Sequence, residues 1–140
     1  MLIVGSGPIG HLAARVIHHW GHDVTIIDTN KVRLNYLNDI MIKKTSLIKD
    51  YSKFSHIIEC TGNANLTEKL IDLEDLVSSD KKIVGAVGSS SKNFKDAITI
   101  ATELNLENFD QCVHEFKEWK EAWNEHRLKK HLKVKLKLDS

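Results

Sequence analysis

The sequence predicts an α/β fold, a doubly wound and mostly parallel sheet with helices on both faces. Three observations carry that prediction. Short apolar, β-branched runs alternate with amphipathic helical stretches, the pattern of strands joined by helical crossovers. The chain opens on Met1-Leu2-Ile3-Val4 and runs directly into Gly5-Ser6-Gly7-Pro8-Ile9-Gly10, an apolar strand feeding a glycine turn. A second apolar strand, Asp23-Val24-Thr25-Ile26-Ile27-Asp28, follows one helix later and ends on an acid. With 140 residues, the chain is long enough for one domain with its own core, and a single domain over 1–140 is expected.

The first elements are the best specified. Leu2, Ile3 and Val4 read as a parallel strand buried on both faces. In the G-x-G-x-x-G that follows, Gly5 permits the tight turn and Gly7 lets the backbone approach a pyrophosphate. Gly10 lets the next helix pack close to the strand. The start of that helix offers unpaired N–H groups and a partial positive charge to an anion. Ile9, Leu12, Ala13, Val16, Ile17 and Trp20 form an apolar stripe at helical spacing. His11, Arg15, His18 and His19 fall mostly on the other side, and Gly21 is placed to end the helix. Asp28 lies close to the offset of about 20 residues at which an acidic residue takes a ribose 2′-hydroxyl in this fingerprint. Strand, glycine turn, helix, strand and terminal acid together predict a dinucleotide site; the competing reading is a glycine turn that serves packing alone.

The remaining elements follow in order. Residues 29–38 read as a short helix, 40–42 as a short strand and 46–52 as a polar loop. The segment 56–62 is a strand that breaks at Gly62. A helix is expected over 66–76, then a strand over 83–88 leading into the serines 89–91. Phe94, Ala97, Ile98, Ala101 and Leu104 mark a helix whose serine-rich start suits capping. Residues 112–116 read as a strand and 117–130 as a charged helix with Trp119 and Trp123 on one face. Residues 132–138 alternate leucine or valine with lysine, a half-buried strand whose lysines guard a sheet edge.

Composition narrows the function. Net charge is +1 with 28% charged residues, which argues against a nucleic-acid-binding surface. No apolar run approaches the roughly 20 residues of a membrane span, and Met1 leads straight into a strand rather than a signal peptide. Cys60 and Cys112 are far apart and read as free thiols, which fits a reducing cytoplasm. Neither a nucleic acid nor a membrane is expected as partner. His18, His19 and His22 suggest a metal cluster, but Gly21 interrupts the helix that would align them, so a solvated helix end is expected. Asp110, His114 and Glu115 lack a partner nucleophile. Ser89, Ser90 and Ser91 suit a helix cap better than a phosphate site. Trp119 and Trp123 suit an anchor to the core or to another domain.

Leu2 through Gly10, with its Gly-Pro-Ile-Gly turn, resembles the cofactor domain of the medium-chain, zinc-type alcohol dehydrogenase family. Glu59-Cys60-Thr61-Gly62-Asn63 is similar to that family's segment beside the nicotinamide ribose. The tail, 113–140, is similar to its closing strand–helix–strand unit, and 83–97 resembles the sugar and polyol branch, glucose dehydrogenases especially. The resemblance implies a Rossmann-type fold and the NAD(P)-binding half of an oxidoreductase. It implies that Gly5, Ser6, Gly7, Pro8 and Ile9 cradle the pyrophosphate, with Gly10 behind them. Asp28 would accept the adenosine ribose hydroxyls and Arg33 would support the same ribose. Cys60, Thr61 and Gly62 would border the middle of the cofactor, and Val87 and Gly88 would lie near the nicotinamide. A carboxylate at Asp28 favours NAD over NADP by repelling a 2′-phosphate, although Lys31 and Arg33 pull the other way.

Departures from the family are equally specific. Its zinc-bearing N-terminal domain is absent, no Cys/His cluster with metal-ligand spacing replaces it, and one strand is short between Leu76 and Ile83. Zinc is therefore expected only in a complete family member, and no catalytic or metal-binding residue is expected in this chain. The isolated chain is expected to be inactive, with a dinucleotide as ligand and a separate catalytic domain or a second copy as partner. A stand-alone nucleotide-sensing module, like the cytoplasmic domains of potassium channels, and a degenerate remnant that binds nothing remain as alternatives.

Overall fold

Leu2, Ile3 and Val4 carry no polar interruption, and they form β1 (Leu2–Val4), buried along its whole length. The computed structural model describes residues 1–37, 40–79, 81–109 and 111–138. β2 (Thr25–Ile27) and β4 (Ile57–Glu59) flank β1 on either side, both parallel, with Ile3 opposite Ile26 and Ile58. β3 (Lys43–Thr45) pairs with the outer side of β2, giving a four-stranded parallel sheet in the order β3-β2-β1-β4. The crossovers are α1 (Pro8–His19) between β1 and β2, and α2 (Lys31–Asn35) between β2 and β3. The core is Ile3, Ala14, Ile17, Val24, Ile26, Leu34, Leu37 and Ile42, with Ile58 and Cys60 packed against it. Burying each large aliphatic side chain of this set contributes about 1.5–3 kcal/mol.

The inward face of α1 differs from the stripe that hydrophobicity selects. Gly10, His11, Ala14, Arg15 and Ile17 are buried, whereas Ile9, Leu12 and Trp20 are exposed. The cause is Gly10, the point of closest approach to β1. Positions i, i+4 and i+7 from it must face the sheet, which turns Ala14 and Ile17 inward and carries His11 and Arg15 with them.

Further along, the expected strand at 40–42 is displaced. Ile42 enters the core instead, and the ladder forms over the next three residues, whose exposed Lys43 and Lys44 suit an edge. The expected helix at 66–76 is two helices, α3 (Ala64–Leu70) and α4 (Leu73–Ser78). Asp72 divides them, because its Oδ1 accepts the N–H groups of Glu74 at 2.9 Å and Asp75 at 3.1 Å and so starts a new helix. Residues 83–88 form no strand, and all of 81–90 is exposed. Gly88 is turned to φ +70°, and the run takes no neighbour in the main sheet.

α5 (Ser91–Ala101) is capped as expected, Ser90 Oγ accepting the Asn93 N–H at 3.1 Å, yet its Phe94 and Ile98 face solvent. β5 (Val113–Glu115) and β6 (Lys135–Lys137) pair in parallel as a separate two-stranded sheet beside α6 (Trp119–Arg127). Ala122 is the buried residue of α6. Trp119 and Trp123 lie on its exposed side rather than anchoring it to the core. This unit meets the first through the Tyr36 hydroxyl, which donates to the Lys130 carbonyl at 3.2 Å, and through Phe109, edge-on to His11 with ring centres 6.3 Å apart. The architecture is α/β and Rossmann-type, with a four-stranded parallel sheet and helices around it.

Candidate functional site

The glycine turn leaves β1 at its C-terminal end, between the ends of β2 and β4. The Gly5 N–H donates to the Ile27 carbonyl at 2.8 Å and the Cys60 N–H to the Val4 carbonyl at 2.9 Å, so both neighbours stay tied to the turn. Gly5 sits at φ +101°, and a Cβ there would stand 2.7 Å from Thr61 Cγ2. At Gly10 a Cβ would overlap the Gly5 carbonyl oxygen. Gly7 is the open position: the nearest atom to a Cβ there is Arg33 Nη1 at 3.9 Å.

Gly7 is also the N-cap of α1, with Pro8 next, and no side chain caps the helix. The caps of α2, α3, α4 and α5 are the side chains of Asn30, Asn63, Asp72 and Ser90. The start of α1 therefore keeps its amide donors and its positive dipole end for a ligand. Pro8 sacrifices nothing there, since its missing N–H falls at a position without an intrahelical partner.

Two charged groups flank this opening. Asp28, at the end of β2, accepts the Ser6 N–H on Oδ2 at 2.6 Å and the Asn30 N–H on Oδ1 at 2.7 Å. Both bonds are charge-assisted and fix the carboxylate at the rim of the turn. Arg33 stands in α2, whose start is held by Asn30 Oδ1 accepting the N–H groups of Val32 and Arg33 at 3.0 and 3.3 Å. His11 reaches the Arg33 carbonyl through Nε2 at 3.0 Å, tying α1 to α2. Ser6 Oγ and Arg33 Nε are buried and have no hydrogen-bond partner among the described residues. An open glycine, an uncapped helix start and these unsatisfied polar atoms fit the pyrophosphate and adenosine-ribose end of a dinucleotide.

The third side of the site is the exit of β4. Glu59 accepts the Thr61 N–H at 2.6 Å, the Thr61 hydroxyl, and the Gly62 N–H at 3.1 Å, closing the loop that carries Thr61 and Gly62 past Gly5. Partial burial works to raise the Glu59 carboxyl, but these three hydrogen bonds outweigh it and hold the group below its ordinary range. Burial, reinforced by the Glu59 charge, pushes the Cys60 thiol up, so it stays protonated.

Of the residues expected around a dinucleotide, Gly5, Ser6, Gly7, Pro8, Ile9, Gly10, Asp28, Arg33, Cys60, Thr61 and Gly62 converge on this end of the sheet. Val87 and Gly88 do not join them. Both are exposed in 81–90, and no hydrogen bond ties either to the turn. Sequence reasoning missed His11, Asn30 and Glu59, which hold the site in shape. Asn30 had a legible signal, a capping residue just before a helix; Glu59 stood at the head of the 59–63 segment without a role of its own, and His11 had no signal.

Elsewhere, His19 pairs with Glu103 at 3.0 Å rather than with other histidines. Asp110 lies outside the described residues. His114 hydrogen-bonds to Glu125 at 2.9 Å. Folding does gather one metal-capable group among the described residues, Cys112, Glu125 and His131, which their spacing along the chain did not announce. No helix among the described residues is long and apolar enough to cross a membrane.

A family model, alanine dehydrogenase/PNT, C-terminal domain, matches residues 1–115, from β1 to the end of β5. No curated protein and no solved structure matches the chain. The match gives no support to the zinc-type, medium-chain alcohol dehydrogenase branch or its sugar-oxidising members. Its span takes in the glycine turn, Asp28, Arg33 and the β4 exit, and on that basis the chain belongs to the alanine dehydrogenase/PNT C-terminal domain family, a Rossmann-type NAD(P)-binding domain of dehydrogenases.

Proposed function

We propose that this chain binds NAD in preference to NADP and serves as the cofactor half of a dehydrogenase. The observation that carries the preference is the Asp28 carboxylate, held by the Ser6 and Asn30 amides at the rim of the uncapped α1 terminus. A carboxylate fixed there accepts the ribose hydroxyls and repels a 2′-phosphate. Arg33, above Gly7, supplies the balancing positive charge to the pyrophosphate. When bound, the nicotinamide supplies hydride transfer; the residues of this chain supply binding and orientation. None of Gly5, Ser6, Gly7, Asp28 or Arg33 is a proton relay or a Lewis acid for a substrate. The isolated chain is therefore expected to oxidise no alcohol, sugar or amino acid. A reducing cytoplasm fits its two free thiols.

Isothermal titration of the purified chain with NADH and with NADPH tests this reading. NADH is expected to bind at least tenfold more tightly, about 1.4 kcal/mol. Equal or stronger binding of NADPH overturns the preference. A folded chain that binds neither is a remnant of the family, and substrate oxidation by the chain alone overturns its assignment as a binding half.

A further inference from the structure

β5, α6 and β6 bury few apolar side chains: Cys112, Ala122 and Leu132 are the fully buried apolar residues of this unit. A core that small benefits from a cross-link. Its most enclosed polar feature is a convergence of ligating atoms from three separate places. Cys112 precedes β5, Glu125 stands on α6, and His131 lies in the turn before β6. Glu125 Oε2 is 3.3 Å from Cys112 Sγ and 3.5 Å from His131 Nε2. The three ligating atoms all lie within 4.8 Å of one another. A tetrahedral zinc ion with ordinary bond lengths holds sulfur and oxygen ligands about 3.6 Å apart, and oxygen and nitrogen ligands about 3.4 Å apart. The two separations from Glu125 Oε2, 3.3 and 3.5 Å, are within about 0.3 Å of those edges.

His114, on β5, sits against the same group, with Nε2 2.9 Å from Glu125 Oε2 and 3.5 Å from Cys112 Sγ. A single carboxylate oxygen thus has a thiol and two imidazoles crowded around it. Two of these contacts, from Cys112 and His114, are hydrogen bonds, and His131 is an ion-pair neighbour, so thiol, carboxylate and imidazole already face one small space that a shared cation could occupy.

We propose that Cys112, Glu125 and His131 form a site for a divalent transition-metal ion of the zinc class, with His114 as a positioning residue. Thiolate, imidazole and carboxylate are together a borderline-soft set, which suits zinc and disfavours magnesium or calcium. Binding releases the Cys112 thiol proton to solvent. Glu125 binds as the carboxylate and His131 as the neutral imidazole. His114 donates its Nε2–H to Glu125 and so orients the carboxylate, the usual duty of an outer partner in such sites. Three protein ligands leave one position for water. The ion would cross-link β5, α6 and the approach to β6. Glu125 and His131 lie beyond the 1–115 span matched by the family model, so the site belongs to this chain's tail and is independent of the dinucleotide reading.

Titration of the chelator-treated full chain with Co2+ and then Zn2+ tests the proposal. One equivalent of Co2+ is expected to give a thiolate-to-cobalt charge-transfer band with the visible bands of a tetrahedral site, and Zn2+ to erase both. Cys112→Ser should abolish the charge-transfer band, whereas Cys60→Ser should leave it intact. His131→Gln, in a turn where the side chain is 31% exposed, should keep the fold and weaken Zn2+ binding at least tenfold. This variant decides the matter if Cys112→Ser fails to fold. His114→Ala should keep the band and the stoichiometry while weakening affinity about 10–100-fold. His114→Gln, which retains an N–H donor, should recover part of that loss. A native chain without a thiolate band overturns the proposal, as does a band that survives in Cys112→Ser or an undiminished Zn2+ affinity in His131→Gln.

Discussion

At Gly10 the fold leaves no room for a side chain, because the position of a Cβ is already taken by the Gly5 carbonyl oxygen. Gly10→Ala must push α1 off β1 and is expected to cost about 2–3 kcal/mol, read as a lowered urea midpoint. Gly7 behaves differently. A methyl group there meets only Arg33 Nη1 at 3.9 Å, so Gly7→Ala should leave stability within about 1 kcal/mol. It projects into the space offered to the pyrophosphate, and NADH affinity by calorimetry should fall about tenfold, or ~1.4 kcal/mol. A Gly10 variant as stable as the native chain, or a Gly7 variant with undiminished affinity, would separate these glycines from the roles given them. Asp28→Asn removes the charge and one of the two acceptors that hold Ser6 and Asn30, so the ratio of NADH to NADPH affinity should shrink toward one. These residues were legible in the sequence because the fingerprint is local: the turn, the helix start and the acid all lie within the first 28 positions. Val87 and Gly88 were placed near the nicotinamide by the family resemblance alone, and the strand expected to carry them, 83–88, does not form.

Among the elements, α1 shows where a sequence pattern is ambiguous and what resolves it. Counting apolar residues turns Ile9, Leu12 and Ile17 inward; the close approach at Gly10 keeps Ile17 there but brings Ala14, His11 and Arg15 in with it and leaves Ile9 and Leu12 exposed. The strand–turn–helix–strand order was legible, and the rotation of the helix was not, because it is set by a contact with β1 rather than by the helix itself. The run 83–88 illustrates the same limit. Its Ile-Val-Gly-Ala-Val composition suits a buried strand, but a strand needs a partner, and pairing is decided at a distance along the chain. The Cys112, Glu125 and His131 group was invisible for that reason too, its members being brought together only when α6 folds back over β5. The β4 exit is short enough to test by pH. Glu59 accepts three hydrogen bonds from Thr61 and Gly62 and is held below its ordinary value of 4.5. A depressed carboxyl contributes stability that is fully present above 4.5 and is lost as pH falls through its lower folded value. The Thr61 and Gly62 amide shifts should therefore titrate together with a midpoint below 4.5. In Glu59→Gln that titration should vanish and the acid side of the stability profile should flatten. A midpoint above 4.5 contradicts the hydrogen bonding described for this loop.

Taken whole, the molecule divides its stability unevenly. The hydrophobic cluster draws on β1, α1, β2, α2 and Ile42, all within the first 42 residues, with Ile58 and Cys60 added from β4. Beyond β4, the run 81–90 is exposed throughout, α5 presents Phe94 and Ile98 to solvent, and Trp119 and Trp123 stand on the exposed side of α6. Segments with few buried contacts open at low free energy, whereas core strands open only with the whole fold. Limited trypsin digestion followed by mass spectrometry should therefore cut first at Lys81 or Lys82, in a stretch that is exposed and outside regular structure. Cleavage at Arg15, which is buried in α1, should wait for global unfolding. Saturating NADH should slow cleavage at Arg15 and Arg33, because a ligand on the glycine turn stabilises only the folded first unit. It should leave cleavage at Lys81 and Lys82 unchanged, since neither Val87 nor Gly88 is tied to that turn. First cuts within residues 1–45, or NADH protection that extends to Lys81 and Lys82, would mean that the second half of the chain is built into the dinucleotide site after all.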